Sequence, residues 1–260
     1  MTGYGWSDST ARDSFSESWA LIKNRTGRGN ETLTRPQVYA HRGASRRQRE
    51  NSIEAFLLAA RLGADGIELD VRRTLNGQLV VHHDSHTEGV LIARADRRDL
   101  PSYVPDLGAA LDACTGLRVN IEIKTDGPHG SEFSDMAQEV ARHLRSRAEP
   151  TSRWIVSSFD HEIVNQIREL FPELPTALLF WQGPWLDVMR QVVSHGHSAI
   201  HPHESVVDDR LVRTAHAAGV EVNAWTVNDL ERAAELAGLG IDGLITDVPD
   251  EVLGALGDVQ

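Results

Sequence analysis

Two short apolar stretches carry charged residues at alternate positions. In "IELDV", Glu68 and Asp70 stand two residues apart, and in "NIEIK" so do Glu122 and Lys124. On an extended chain, side chains two apart project to one face, so each stretch pairs a charged face with an Ile, Leu or Val face. Burying three carboxylates uncompensated is prohibitively costly, whereas a divalent cation would stabilise all three in their ionised form. An ion-pair network with Arg72, Arg73 or Lys124 is the alternative that these residues alone leave open.

Histidines enter at two points, His41 in "AHRG" and His83 in "VHHD". Imidazole exchanges a proton near neutral pH, and two of them facing each other across a small ligand would serve as acid and base, in an order the sequence does not set. Asp84 is placed to orient His83, while His82 reads as a surface neighbour. Gly43 permits a sharp turn that redirects Arg42 toward the pocket, where a planar guanidinium suits bidentate phosphate recognition. Arg46, Arg47 and Arg49 read as a solvated loop face, and Asn51 or Ser52 as the cap of the following helix. Trp225, in "NAWTVND", shares a strand face with Asn223 and Val227; at a barrel mouth it would pack against a small carbon skeleton such as glycerol.

These residues need strands whose ends converge. Eight segments have strand character: "QVYAH", "GIELDV", "LRVNIEIK", "RWIVSSF", "TALLFW", "HSAIHPH", "VEVNAWTV" and "IDGLITD". Seven helical patterns lie between them, from "SIEAFLLAARLG" to "NDLERAAELAGLG". That alternation predicts a closed parallel α/β barrel, in which active sites form at the C-terminal strand ends, where Glu68, Asp70, Glu122 and His41 fall. "GQLVVHHD", behind the Asn76-Gly77 turn signal, reads as an extension of the second strand unit. An open doubly wound sheet is disfavoured because no G-x-G-x-x-G turn follows the first strand.

The chain has 260 residues and a formal net charge of −12, with 40% hydrophobic and 25% charged residues. This suits a single folded barrel over 36–260 and argues against nonspecific nucleic-acid or anionic-lipid binding. Residues 1–35 read as an extension with one short helix around "SFSESWALIKN". With no apolar leader-like or membrane-length run, the expectation is a cytoplasmic protein without stable membrane insertion. The single cysteine, Cys114, reads as part of a core helix.

"HRGASRRQRENSIEAF", "GADGIELDVRRTLNGQLVVHHD", "VPDLGAALD", "NIEIK", "SSFD", "NAWTVND" and "DGLITD", in this order, resemble the glycerophosphodiester phosphodiesterase family over about Val38 to Pro249. The resemblance implies a TIM barrel that binds Mg²⁺ or Ca²⁺ and acts on a small glycerophosphodiester. It places acid-base histidines at His41 and His83, and metal ligands at Glu68, Asp70 and Glu122, with Glu50 completing the metal side. Arg42 and Lys124 would contact phosphate, and Trp225 would line the alcohol side.

Two departures bear on the site. Arg49 stands where the family commonly has proline, and the stretch from His83 to "VPDL" is short, which predicts a short or absent insertion and a more open mouth. Competing readings are a phospholipase D-like relative that stops at a cyclic phosphate, a noncatalytic phosphodiester-binding barrel, and a zinc amidohydrolase using His201 and His203 of "HPH".

Overall fold

A computed structural model describes residues 35–125 and 135–257. The expected extension over 1–35 lies outside the described residues apart from Arg35, as do residues 126–134, which include the start of the third helical pattern.

Eight parallel strands form the barrel: β1 (Gln37–His41), β2 (Gly66–Arg73), β6 (Arg118–Ile123), β7 (Trp154–Ser158), β8 (Thr176–Phe180), β9 (Ala199–Pro202), β10 (Glu221–Ala224) and β11 (Gly243–Thr246). Each pairs with the next, and β1 bonds to both β2 and β11, which closes the sheet. The Asn76-Gly77 turn leads into β3 (Leu79–Val81), antiparallel to β2, so the second strand unit is extended as its sequence indicates. A short segment then forms β4 (His86–Thr87), β5 (Val90–Leu91) and two single 3₁₀ turns. Val80, Ile92, Ala95, Leu100 and Val104 give it a small apolar core of its own.

Alternation along the strands divides the barrel wall into two faces. Val38 and Ala40 of β1, Ile67, Leu69 and Val71 of β2, and Val119, Ile121 and Ile123 of β6 belong to the main core beneath the helices. The residues between them, including His41, Glu68, Asp70 and Glu122, therefore line the barrel interior. At the opposite end, a Cβ on Gly66 would lie 2.5 Å from the Tyr39 ring, so glycine makes room for the aromatic plug.

The helices form because their apolar residues recur with helical spacing and polar side chains cap their starts. Helix Ile53–Arg61 buries Ala55, Phe56 and Ala59, and the Ser52 side chain accepts from the Ala55 amide as its N-cap, worth about 1 kcal/mol. Asp160, Asp208 and Asp229 cap three later helices in the same way. A further helix, Pro249–Gly257, follows β11. The sequence pattern missed it because two glycines interrupt a single short apolar stripe.

Candidate active site

Strand register assembles the acidic centre. His41 lies beside Glu68 across the β1–β2 ladder, and Asp70 lies beside Glu122 across the β2–β6 ladder. One ligand atom from each of Glu68, Asp70 and Glu122 falls within 4.8 Å of the others, and all three residues are buried. Two cations lean on the group: Lys124 Nζ lies 3.0 Å from Asp70 Oδ1 and also contacts Glu122 Oε1. Arg42 Nε lies 3.2 Å from Asp70 Oδ2.

The three carboxylates are not equivalent. Burial and the neighbouring Asp70 push Glu68 up to about 8. Glu122 is also raised by burial, which Lys124 opposes and Asp70 reinforces. Burial would raise Asp70 too, yet Lys124 and Arg42 outweigh it and hold this carboxyl below its ordinary range. Glu68 Oε1 is buried without a hydrogen-bond partner. A pocket with that much unneutralised acidity suits a hard divalent cation with oxygen ligands, as Mg²⁺ and Ca²⁺ require.

Backbone geometry around β1 turns Arg42 into this pocket. Arg42 and Gly43 both have positive φ, 58° and 80°, and a Cβ on Gly43 would lie 2.7 Å from the Ala55 carbonyl carbon. Glycine is thus required both by conformation and by close approach. Arg42 donates its amide to Glu68 Oε2 at 3.0 Å and its guanidinium to Glu50 at 3.0 and 3.1 Å. Glu50 therefore stands against Arg42 in this structure, outside the group of three, with its side chain 45% exposed.

The other arginines of the basic loop are exposed, and two of them have partners. Arg47 pairs with Asp250, and the Arg49 guanidinium stacks 3.9 Å from the Tyr103 ring centroid in the short segment after β5. Ser52, not Asn51, caps the following helix. Asn51, at φ 55°, instead donates Nδ2 to Asp70 Oδ2 at 2.7 Å and accepts from the Asp70 amide at 3.2 Å. It fixes the central carboxylate from both ends.

The two histidines approach different sides of the trio. His41 Nε2 lies 3.9 Å from Glu68 Oε2, while its Nδ1 lies 2.6 Å from Asp247 Oδ1. Burial disfavours the charged imidazole, but the Asp247 hydrogen bond and Glu68 outweigh it and raise the pKa of His41. Burial would likewise raise Asp247, yet hydrogen bonds from His41, Asn228 and Ser45 bring it down to about 2. His83 feels Asp70, Lys124 and Arg42, and its pKa is lowered, chiefly by burial. Its Nδ1 meets Asp84 at 2.8 Å, and Arg72 clamps its carbonyl at 2.9 and 2.6 Å. His82 turns aside to the His86 carbonyl.

Aromatic rings line the other half of the mouth. Trp225, anchored by an Nε1 bond to the His201 carbonyl, meets Phe159, Trp181 and His203 with centroids 5.1–5.3 Å apart. Trp181 stacks on His203 at 4.5 Å. The sequence reading found only Trp225. Phe159, Trp181 and His203 each directly follow a strand, a position that would have pointed to them. The two histidines of "HPH" part company: His201 is buried against Asn223, and His203 joins this wall, so they form no zinc pair. Cys114 is a core residue, its thiol pushed up to about 12 by burial.

The sequence of this chain matches the model of the glycerophosphoryl diester phosphodiesterase family over residues 41–251. A glycerophosphodiester phosphodiesterase of Caldanaerobacter subterraneus is 30% identical over 240 residues, covering 83% of this chain and 96% of that protein. Among solved structures, glycerophosphodiester phosphodiesterase from Thermotoga maritima matches with a TM-score of 0.70 and 25% identity over 87% of this chain and 99% of that one. In fold, an Oleispira antarctica phosphodiesterase solved with the product sn-glycerol-3-phosphate also matches, with a TM-score of 0.78 and 24% identity over 86% of this chain and 97% of that one. By the family-model match over most of its length and by these relatives, the chain belongs to the glycerophosphoryl diester phosphodiesterase family.

Proposed function

We propose that this protein hydrolyses glycerophosphodiesters to glycerol 3-phosphate and an alcohol, with a divalent cation at Glu68, Asp70 and Glu122 and with His41 and His83 as the acid-base pair. The observation that carries the reading is the convergence of three buried carboxylates, their ligand atoms within 4.8 Å of one another, at a mouth that also holds both histidines and two phosphate-compatible cations. Mg²⁺ or Ca²⁺ fits this oxygen-only set, and when bound it supplies neutralising charge for phosphate oxygens. Glu50, in its place against Arg42, is proposed to steer that guanidinium toward the metal side of the site.

Arg42 and Lys124 would hold the phosphodiester, each releasing part of its hold on Asp70 to do so. One histidine takes the proton of the glycerol 2-hydroxyl as that oxygen attacks phosphorus, and the other protonates the departing alcohol as its P–O bond breaks. Water then adds to phosphorus and opens the cyclic phosphate to glycerol 3-phosphate. Geometry separates the two histidines: His41 Nδ1 is tied to Asp247 and its Nε2 faces the trio, which suits the base and leaves His83 as the acid. Trp225 and its aromatic neighbours would face the carbon skeleton.

The reading is tested by following glycerophosphocholine with ³¹P NMR for the wild type, His41→Ala and His83→Ala in Mg²⁺ or Ca²⁺. Glycerol 3-phosphate from the wild type, with turnover reduced at least about 10²-fold in each variant, supports it. A cyclic phosphate as the final product would move the chain to the phospholipase D-like reading, and unchanged turnover in both variants would remove the histidines from the mechanism.

A further inference from the structure

Asp247 directly follows β11, and closure of the barrel between β11 and β1 brings it to His41. Every bond around its carboxylate is specified. Asn228 Oδ1 accepts from the Asp247 amide at 2.9 Å and from the Thr246 hydroxyl at 3.0 Å. That fixes the orientation of the Asn228 side chain, so its Nδ2 faces Asp247 Oδ2 as a donor at 2.7 Å. Ser45 Oγ donates to Oδ1 at 3.2 Å. An ionised carboxylate only accepts, so the 2.6 Å contact requires the His41 proton on Nδ1. Nε2 is left facing the acidic trio.

We propose that Asp247, oriented by Asn228 and Ser45, is the positioning residue of His41, locking its imidazole in the Nδ1–H form with Nε2 aimed at the reacting phosphodiester. This rests on His41 acting as a proton-transfer group. The arrangement is built, not incidental: Asn228 and Ser45 hold the Asp247 carboxylate, which reaches His41 from 206 residues away in the chain. The partner of His83, by contrast, is its own neighbour Asp84, 76% exposed.

The Asn228 orientation gives the proposal a specific chemical consequence. In Asp247→Asn the Asn228 donor still needs an acceptor, so the new amide turns its oxygen to Asn228 and its NH₂ to His41 Nδ1. That drives the imidazole proton to Nε2, the wrong nitrogen, at almost unchanged shape. Exchanging the two residues, Asp247→Asn with Asn228→Asp, reverses this. The carboxylate now at position 228 accepts from the NH₂ now at position 247, whose amide oxygen returns to His41. The Nδ1–H form is restored with the same net charge as the wild type.

The test is ¹⁵N NMR of His41 in the wild type, Asp247→Asn and the exchanged pair, together with kcat and KM for glycerophosphocholine. Expected are Nδ1–H in the wild type, Nε2–H in the single variant and Nδ1–H again in the pair. In the single variant kcat should fall at least about 10²-fold with KM changed less than about threefold, and the pair should regain at least about tenfold in kcat. An Nε2–H wild type, a single variant that keeps Nδ1–H, or one that switches tautomer while kcat stays within about threefold overturns the proposal. The wild-type spectrum decides even if a variant does not fold. Failure of the underlying reading would show separately, as His41→Ala turning over like the wild type.

Discussion

At the scale of single residues, the account turns on proton positions. If His83 protonates the leaving alcohol, its importance depends on how badly that group needs a proton. His83→Ala should therefore lose at least about 10²-fold in kcat on glycerophosphocholine and much less on the p-nitrophenyl diester, whose leaving group departs unaided. His41→Ala should lose about equally on both. The reverse pattern would exchange the two roles. Glu68 offers a second residue-scale prediction. Its carboxyl, pushed up to about 8 without a cation, is mostly protonated at pH 7. Loading Mg²⁺ or Ca²⁺ must displace that proton, so calorimetry in buffers of different ionisation enthalpy should report release of about one proton per cation. Binding without proton release would contradict the assignment of Glu68 as a ligand.

At the scale of elements, the site depends on the turn after β1 as much as on the strands. Gly43→Ala places a methyl 2.7 Å from the Ala55 backbone at φ 80°. Urea denaturation should show a loss of at least about 1–2 kcal/mol, and turnover should fall with it because Arg42 leaves the pocket. A variant of wild-type stability and activity would mean the turn does not set Arg42. This is also where the sequence was most and least informative. Alternation within one strand is local, so Glu68 with Asp70 and Glu122 with Lys124 could be read directly, as could the strand-end positions of His41 and His83. Pairings made by barrel closure could not. Asp247 lies 206 residues from His41 in the chain and meets it only because β11 is the neighbour of β1. Asn51 was weighed as a cap, but its positive φ hands that role to Ser52 and turns its amide toward Asp70. Three of the four rings in the aromatic wall were legible from their places directly after β7, β8 and β9, but only Trp225 was read from its strand.

At the scale of the whole molecule, the fold buries two histidines that favour the neutral form. Burial lowers His201 to about 3 and His197 to about 4. Their folded values lie below the unfolded value of about 6.5, so the unfolded chain binds more protons between them. The stability they confer is complete above about pH 6.5 and is lost as pH falls toward 4, by at most about 1.4 kcal/mol per pH unit for each group. Glu68 acts in the opposite sense without a cation, because its folded value is raised: its contribution is present below the unfolded carboxyl value and is lost as pH rises through about 8. Comparing urea midpoints at pH 7 and pH 5 for the wild type and His201→Asn isolates the histidine; the wild type should lose more stability than the variant, and equal losses would contradict a buried neutral His201.

No helix among the described residues is long and apolar enough to cross a membrane. The molecule instead presents one end of a barrel, acidic and basic on the β1, β2 and β6 side and aromatic on the β7 to β10 side. A small diester with a charged centre and a carbon skeleton matches that division. The central claim is that the acidic trio works through a bound cation, and the most direct measurement is release of glycerol 3-phosphate from glycerophosphocholine by protein stripped with EDTA, before and after Mg²⁺ or Ca²⁺ is returned. The account predicts no release from the stripped protein, recovery with cation, and no recovery in Glu122→Gln. Full turnover by the stripped wild type would contradict it.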